Sequence, residues 1–310
     1  MTTSVALCTY NGEKFLKQQI DSILNQTVCV DEITICDDCS TDKTVEILND
    51  YKIKFPDLFQ IFINEKNLRS VKNFEKAISL CTKDIIFLCD QDDVWKIEKV
   101  NLFLKKFAEN SNYKVICSNA ELINEEGNSI NKNTIWDVPF YFKKNRKKID
   151  YFKSFCLIGN FATGANMAFD RDFISTILPF PEKNFHHDEW LAIVSSAENK
   201  FLFFDEKTAY YRIHQNQQVG GVFFENKKNI ESQLFKRFNL ENQNISFRIL
   251  KRRILNLKKK KEKILSISGN QKSAIKTRLL QTIDNYLLNL KFQLKKENSL
   301  KYYFFELFYF

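Results

Sequence analysis

"IIFLCDQDDVW", residues 85–95, runs an unbroken apolar stretch straight into three carboxylates within four positions. Ile85 to Cys89 has the length and the β-branched and aromatic content of a strand buried on both faces, and Asp90, Asp92 and Asp93 follow at once. Like charges about 4 Å apart repel by roughly 4 kcal/mol at the effective dielectric of a protein surface. Such a cluster requires hydration, protonation or a cation, and the rest of the chain must supply it.

Outward from that stretch the same pattern recurs. "SVALC" (4–8) leads into "TYNGE", and "EITIC" (32–36) leads into "DDCSTDKT"; "LFQIFIN" (58–64) and "YKVICSNAELI" (113–123) read as further strands. Between them lie helical spacings. Phe15, Leu16, Gln19, Ile20, Ile23 and Leu24 form one; Val45, Ile47 and Leu48 form the next, after a cap at Thr41 or Asp42. Residues 70–81 and 95–110 form two more. Strands alternating with helices predict a mostly parallel α/β sheet, whose ligands bind beyond the carboxyl ends of the strands. "TYNGE", "DDCSTD" and "DQDD" all follow strands, so three polar clusters converge on one edge.

The bulk composition is consistent with this. The 310 residues are 44% hydrophobic and 14% aromatic, ample for a core, and seven Gly and four Pro leave little room for linkers. No apolar run approaches ~18 residues, so no transmembrane helix is expected. "MTTSVALCTYNG" lacks a basic leader, so the expectation is a cytoplasmic protein. Cys8, Cys36, Cys89 and Cys117 fall in strand-like runs and read as reduced, buried thiols. Cys36 and Cys39 have C-x-x-C spacing, but no second pair completes a zinc site.

Asp37, Asp38 and Asp42 could each be a turn or cap residue. Capping needs one acceptor, however, and not six clustered carboxylates. Mg2+ and Mn2+ take oxygen ligands and commonly bridge one or two carboxylates to substrate phosphates. The chain has neither G-x-x-x-x-G-K-[ST] nor G-x-G-x-x-G after a strand, so any phosphate ligand is held by metal and side chains.

These residues carry a resemblance. "CTYNGEKFLKQQIDSILNQT", "EITICDDCSTDKT", "FLCDQDDVW", "TGANMAFDR" (163–171), "HHDEWLA" (186–192) and "YRIHQNQQVGG" (211–221) stand in the order of the signatures of family 2 glycosyltransferases. The resemblance implies a GT-A fold over residues 1–221, a Rossmann-like, mostly parallel sheet flanked by helices; residues 222–310 lie beyond it and read from their charge as a basic helical region. It implies that Thr9, Asn11, Glu13 and Asp38 surround the base and ribose of a nucleotide-sugar donor. Asp90 and Asp92 become the D-x-D element, Asp92 binding Mn2+ or Mg2+ and Asp93 orienting the loop. Asp188 matches the catalytic base, His214 a late metal or diphosphate contact, and Arg212 lies near the donor. Gly164 would permit close approach to acceptor or donor, while Trp190 is either a sugar-stacking ring or a core residue. Arg69 stands where many relatives carry a glycine-containing loop; it or Lys72 could touch the diphosphate or be solvated.

The implied activity is inverting transfer of one sugar, from dTDP-rhamnose or a UDP-hexose, to a saccharide or lipid-linked acceptor. "CDQDDVW" and "HHDEW" look most like rhamnosyltransferase-type members, and no Q-x-x-R-W motif of processive synthases is present. A nucleotidyltransferase and a non-catalytic binding module are the alternatives.

Charge separates the last third from the rest. Residues 221–310 hold 20 Lys/Arg against 7 Asp/Glu, leaving 27 against 31 for residues 1–220. Phe247, Leu250, Ile254, Leu257 and Ile264 form one helical stripe, and Ile275, Leu279, Ile283, Tyr286, Leu290 and Leu294 another. Two readings stand: attachment to an anionic membrane surface, or a hairpin packed on the catalytic domain with its Lys/Arg side solvated. No groove-reading module supports nucleic acid as a partner.

Overall fold

The apolar runs become strands of one sheet. In the computed structural model, which describes residues 1–181, 185–215, 217, 222–225, 229–242, 245–267, 273–299 and 302–303, β1 (Thr3–Thr9), β2 (Glu32–Asp37), β3 (Phe59–Ile63) and β4 (Ile85–Cys89) pair in parallel. The other strands are β5 (Val94–Trp95), β6 (Val115–Ile123), β7 (Ser129–Ile130), β8 (Asn133–Thr134), β9 (Met167–Asp170), β10 (Phe201–Arg212) and β11 (Phe223–Phe224). The order is β3-β2-β1-β4-β9-β6-β10-β5, with β7 on the side of β6 and β11 paired to β8. β9 runs antiparallel between β4 and β6, while β10 is parallel to β6.

Helical spacings become α1 (Leu16–Leu24), α2 (Thr44–Lys54), α3 (Arg69–Leu80) and α4 (Lys99–Glu109). After them come α5 (Val138–Lys144), α6 (Tyr151–Leu157), α7 (Ile174–Ile177), α8 (His187–Ala197), α9 (Ile230–Phe238), α10 (Phe247–Leu265) and α11 (Ser273–Glu297). Side chains alternate across the strands as the pleat requires. Val5, Leu7, Ile33, Ile35 and Phe87 pack with α1 and α4 on one face; Ala6, Cys36, Ile86 and Leu88 pack with Phe74 of α3 on the other.

The register places the site. Leu7 pairs with Cys89 and Thr9 with Asp37, so β1, β2 and β4 end level. From β1 the chain moves to β2 on one side, and β4 lies on the other, opening a crevice at the carboxyl ends.

The structure refines three expectations. Asp42 Oδ1 accepts from the Thr44 N–H at 2.9 Å and so starts α2, although Lys43 occupies the cap position. Residues 95–110 are not helical from the start: Trp95 joins β5, where Val94 and Trp95 pair with Tyr210 and Ala209 of β10. That pairing pins the far end of the acidic loop. All eight cysteines are unpaired thiols.

The two C-terminal stripes are packed. Leu250, Ile254, Leu257 and Ile264 of α10, with Leu279, Ile283, Leu290 and Leu294 of α11, are buried in the same core as Phe74, Leu88, Trp136 and Phe155. Their apolar faces are therefore occupied by protein, as in the packed alternative of the two readings. Among the described residues no helix is long and apolar enough to cross a membrane. Of the terminal "YYFFELFYF", only Tyr302 and Tyr303 lie within the described residues.

Truncating Ile254 or Leu257 to Ala should destabilise the whole chain by about 2–5 kcal/mol, read as a lower urea midpoint without detergent or lipid. An unchanged midpoint would mean that the stripe does not belong to the core.

Candidate active site

The acidic loop between β4 and β5 is held from below. Gln91 clamps it to the end of β1, its Oε1 accepting from the Tyr10 N–H at 2.8 Å and its Nε2 donating to the Tyr10 carbonyl at 3.0 Å. A Cβ on Gly12 would lie 2.3 Å from Gln91 Oε1, so any larger residue there would have to displace the clamping amide. Arg212, 1% exposed, ends β10 directly under the acids. Its Nε donates to the Asp92 carbonyl at 2.8 Å, Nη1 to the Asn124 and Glu125 carbonyls at 3.1 and 2.9 Å, and Nη2 to Gln18 at 2.6 Å. Its backbone N–H donates to Asp93 Oδ1 at 2.9 Å, and the guanidinium lies 4.6 Å over the Phe15 ring.

A second cation, Lys99, is fully buried at the start of α4, its Nζ donating to the Ala165 carbonyl at 2.5 Å and lying 4.2 Å over the Trp95 ring. Burial pushes its pKa down to about 8, while nearby Cys89 and the Asp93 and Asp90 carboxylates pull it up. Protonation does the rest. Burial, then Asp92 and Asp188, push Asp90 up to about 7, and burial with the same kind of crowding raises buried Asp93 well above the usual carboxylate range. Asp93 Oδ2 has no partner.

The β1–β2 wall is polar and rigid. Asp38 accepts from the Leu68 and Arg69 N–H groups at 2.7 and 2.8 Å and from Asn64 Nδ2 at 2.8 Å. Thr9 donates its hydroxyl to Asp37 at 2.7 Å, and Asn11, at φ +48°, accepts from the Thr41 N–H at 2.8 Å. Asn64 also donates to Asn73, and Asn73 to the Cys36 carbonyl, extending the network to α3.

Opposite lies the start of α8. Asp188 accepts from the Glu189 N–H at 2.6 Å and from the Gly164 N–H at 3.3 Å. Burial pushes its pKa up to about 6 against those donors. Gly164 is required by a close approach: a Cβ there would sit 2.7 Å from His187 Nε2. His187 stacks on Phe74 at 4.0 Å, 7% exposed, with both ring nitrogens unpartnered. Burial pushes it down to about 3, so the ring is neutral at physiological pH.

One cavity of about 670 Å³ joins these walls, lined by Thr9, Asn11, Asp38, Asp90, Asp92, Gly164, Asp188 and His214. Eight of the expected residues thus share one space. Three do not reach it. Glu13 is exposed, its carboxylate accepting from the Lys43 N–H at 2.9 Å, so it braces α2. Arg212 is used up beneath the loop. Trp190 is fully buried, its indole N–H donating to the Ile177 carbonyl at 3.1 Å, which makes it a core residue and not a stacking ring. Lys72 is paired with Glu75 at 2.8 Å, and the Arg69 backbone N–H serves Asp38. The cavity also includes Gln91, Asn73, Phe74, His187 and Arg237. Gln91 and His187 lie inside quoted motifs, but nothing in the sequence singled out Arg237.

A divalent cation fits the donor set. His214 Nε2 lies 2.9 Å from Asp92 Oδ2, and Asp90 opens onto the same space. Among the described residues no three His, Cys, Asp or Glu form a ready cage. None is needed, because Mg2+ and Mn2+ keep waters and substrate phosphates and use one or two protein carboxylates.

Residues 4–176 match the family described as Glycosyl transferase family 2. The chondroitin synthase of Escherichia coli is 31% identical over 141 residues, 46% of this chain and 20% of that protein. The dTDP-rhamnosyl transferase RfbG of Shigella flexneri is 27% identical over 226 residues, 69% of this chain and 73% of that protein. The chain therefore spans about a fifth of the first relative. The mannosyltransferase PcManGT of Pyrobaculum calidifontis, solved with GDP-Man and Mn2+, aligns with a TM-score of 0.56 at 14% identity, covering 96% of this chain and 73% of that one. At that identity the likeness shows the fold, the anticipated GT-A arrangement.

Replacing Arg212 by Lys should destabilise the chain by about 3–5 kcal/mol in thermal or urea unfolding, because buried acceptors lose their donors beside buried acids. A variant with an unchanged melting temperature and weaker nucleotide binding would restore Arg212 to the donor site.

Proposed function

The chain belongs to glycosyl transferase family 2, and from that premise we propose that it moves one sugar, with inversion, from a nucleotide-diphosphate sugar to a saccharide acceptor. One observation carries the reading: a buried carboxyl, Asp188, raised to about 6, shares a cavity with the acidic loop at the carboxyl ends of β1, β2 and β4.

Asp188 is the general base. Inverting transfer needs a carboxylate to take the proton of the acceptor hydroxyl as it attacks the anomeric carbon. A pKa near 6 leaves Asp188 ionised at neutral pH and a stronger proton acceptor than an ordinary aspartate. The Gly164 and Glu189 N–H groups hold its orientation. Thr9, Asn11 and Asp38 form the wall that receives the nucleoside, and Asp90 meets its ribose. Asp92 and His214 are the residues that would hold Mg2+ or Mn2+, and the metal would supply Lewis-acid stabilisation of a diphosphate. The cavity, about 670 Å³, is of the size expected for a ligand of nucleotide-sugar dimensions.

The similarity to the dTDP-rhamnosyl transferase favours dTDP-rhamnose as donor, with UDP-hexoses next. The acceptor is a saccharide, free or lipid-linked, and the enzyme works on the cytoplasmic side. Nothing favours the nucleotidyltransferase or binding-module readings over family membership.

The test is donor hydrolysis over a panel of dTDP- and UDP-sugars. Wild type should release nucleotide slowly, lose that activity in EDTA, and regain it with Mn2+ or Mg2+; Asp92→Ala should reduce it by about 100-fold or more even with metal. If wild type binds and hydrolyses no nucleotide sugar in either metal, the proposal fails.

Asp188→Asn should lower transfer by about 100- to 10,000-fold, while titration calorimetry finds nucleotide affinity close to that of wild type. Because the base acts ionised and its pKa is raised, kcat/KM for transfer should climb with pH through about 6 and then level off. A profile already flat from pH 4.5 would remove Asp188 from that role.

A further inference from the structure

The acidic loop is balanced by buried cations, and the cavity lining carries one further cation, Arg237, that the proposed reaction does not use. Arg237, near the end of α9, lines the cavity that holds Asp188, its Nη2 lying 3.9 Å from where a Cβ on Gly159 would stand. Among the described residues no carboxylate pairs with it. Arg237 is exposed to solvent, its guanidinium lies 5.4 Å over the Phe238 ring, and Arg253 donates to its carbonyl at 2.7 Å. Several other polar groups on this wall already have partners. Asn160 accepts from the Ala162 N–H and donates to the Ala162 carbonyl, at 2.9 and 2.6 Å. Thr163 takes the Trp136 indole N–H at 2.7 Å, and Glu189 is approached by Lys260 at 3.4 Å.

Its place in the fold separates this group from the donor. The nucleoside wall follows β1 and β2, whereas Gly159 and Asn160 precede β9, on the far side of β4. α9 packs on α5, with Phe235 against Phe142 at 5.0 Å.

We propose that this wall is an oxyanion subsite for the acceptor, with the Arg237 guanidinium holding a phosphate or carboxylate on the saccharide that Asp188 deprotonates. The proposal rests on the transferase reading above and adds a substrate class to it: an anionic acceptor. A guanidinium stays charged at neutral pH and offers two parallel N–H groups to such an oxyanion. The cavity then has a cation-seeking end at Asp92 and an anion-seeking end at Arg237, which orients the acceptor before reaction.

The experiment titrates three probes into the full chain saturated with UDP and Mn2+: a neutral methyl disaccharide, the same disaccharide ending in a uronate, and the same disaccharide on an alkyl diphosphate. Wild type should bind at least one anionic probe about 10- to 100-fold more tightly than the neutral one. The probe preferred identifies the source of the charge. Arg237→Gln should erase the preference, and Arg237→Lys should restore part of it. No preference in wild type, including failure of both anionic probes to bind, overturns the proposal, as does a preference that survives in Arg237→Gln. A variant that loses UDP affinity by the same factor overturns it as well, since the guanidinium would then serve the donor diphosphate. Failure of wild type to bind UDP or dTDP would instead strike the transferase reading.

Discussion

The buried guanidinium of Arg212 is the constraint on which the site depends. Five side-chain and backbone bonds join it to the acidic loop, to the turn after β6 and to α1, while Phe15 covers its face. With Lys99, it places fixed positive charge beside Asp90, Asp92 and Asp93 at the strand end. Desolvating such a cation is expensive, and the carbonyls of Asp92, Asn124 and Glu125 with Gln18 compensate by accepting from every side. The residue most needed to shape the site is thus one that does not face the cavity.

The acids are then divided by environment. Asp93 is buried and shifted far upward, Asp90 stands at about 7, and Asp92 faces His214. Asp188, across the cavity, is raised to about 6 mainly by burial and only partly relieved by two N–H groups. Asp90, Asp93 and Asp188, carboxyls of one chemistry, are therefore raised to different extents because their burial and neighbours differ.

Much of the fold could be read residue by residue. Apolar runs of five to seven residues ending in Asp, Asn or Thr announced β1, β2 and β4, and strand periodicity put Leu7 and Phe87 on one face and Ala6 and Leu88 on the other. The site was legible where polar residues followed those strands, as at Thr9, Asp38, Asp90 and Asp92. Glu13 and Arg212 do not line the cavity, and Trp190 takes the core alternative, because each has a local pattern equally compatible with a ligand contact and with a structural bond. Glu13 meets the Lys43 N–H 30 residues away, and Arg212 meets Asp92 120 residues away. No window of sequence contains both partners.

The sequence by itself determined the alternation of strand and helix, the position of the polar clusters at strand ends, and the need of three adjacent carboxylates for compensating charge. These follow from side-chain hydrophobicity, periodicity and Coulomb repulsion, which act over a few residues. Only the tertiary structure decided which cation answers those carboxylates, that the stripes of α10 and α11 bury against the catalytic core, and that Arg237 reaches the cavity of Asp188. An apolar stripe or a guanidinium specifies the kind of partner it needs but not which one, and that choice is made when distant segments compete for the same contact.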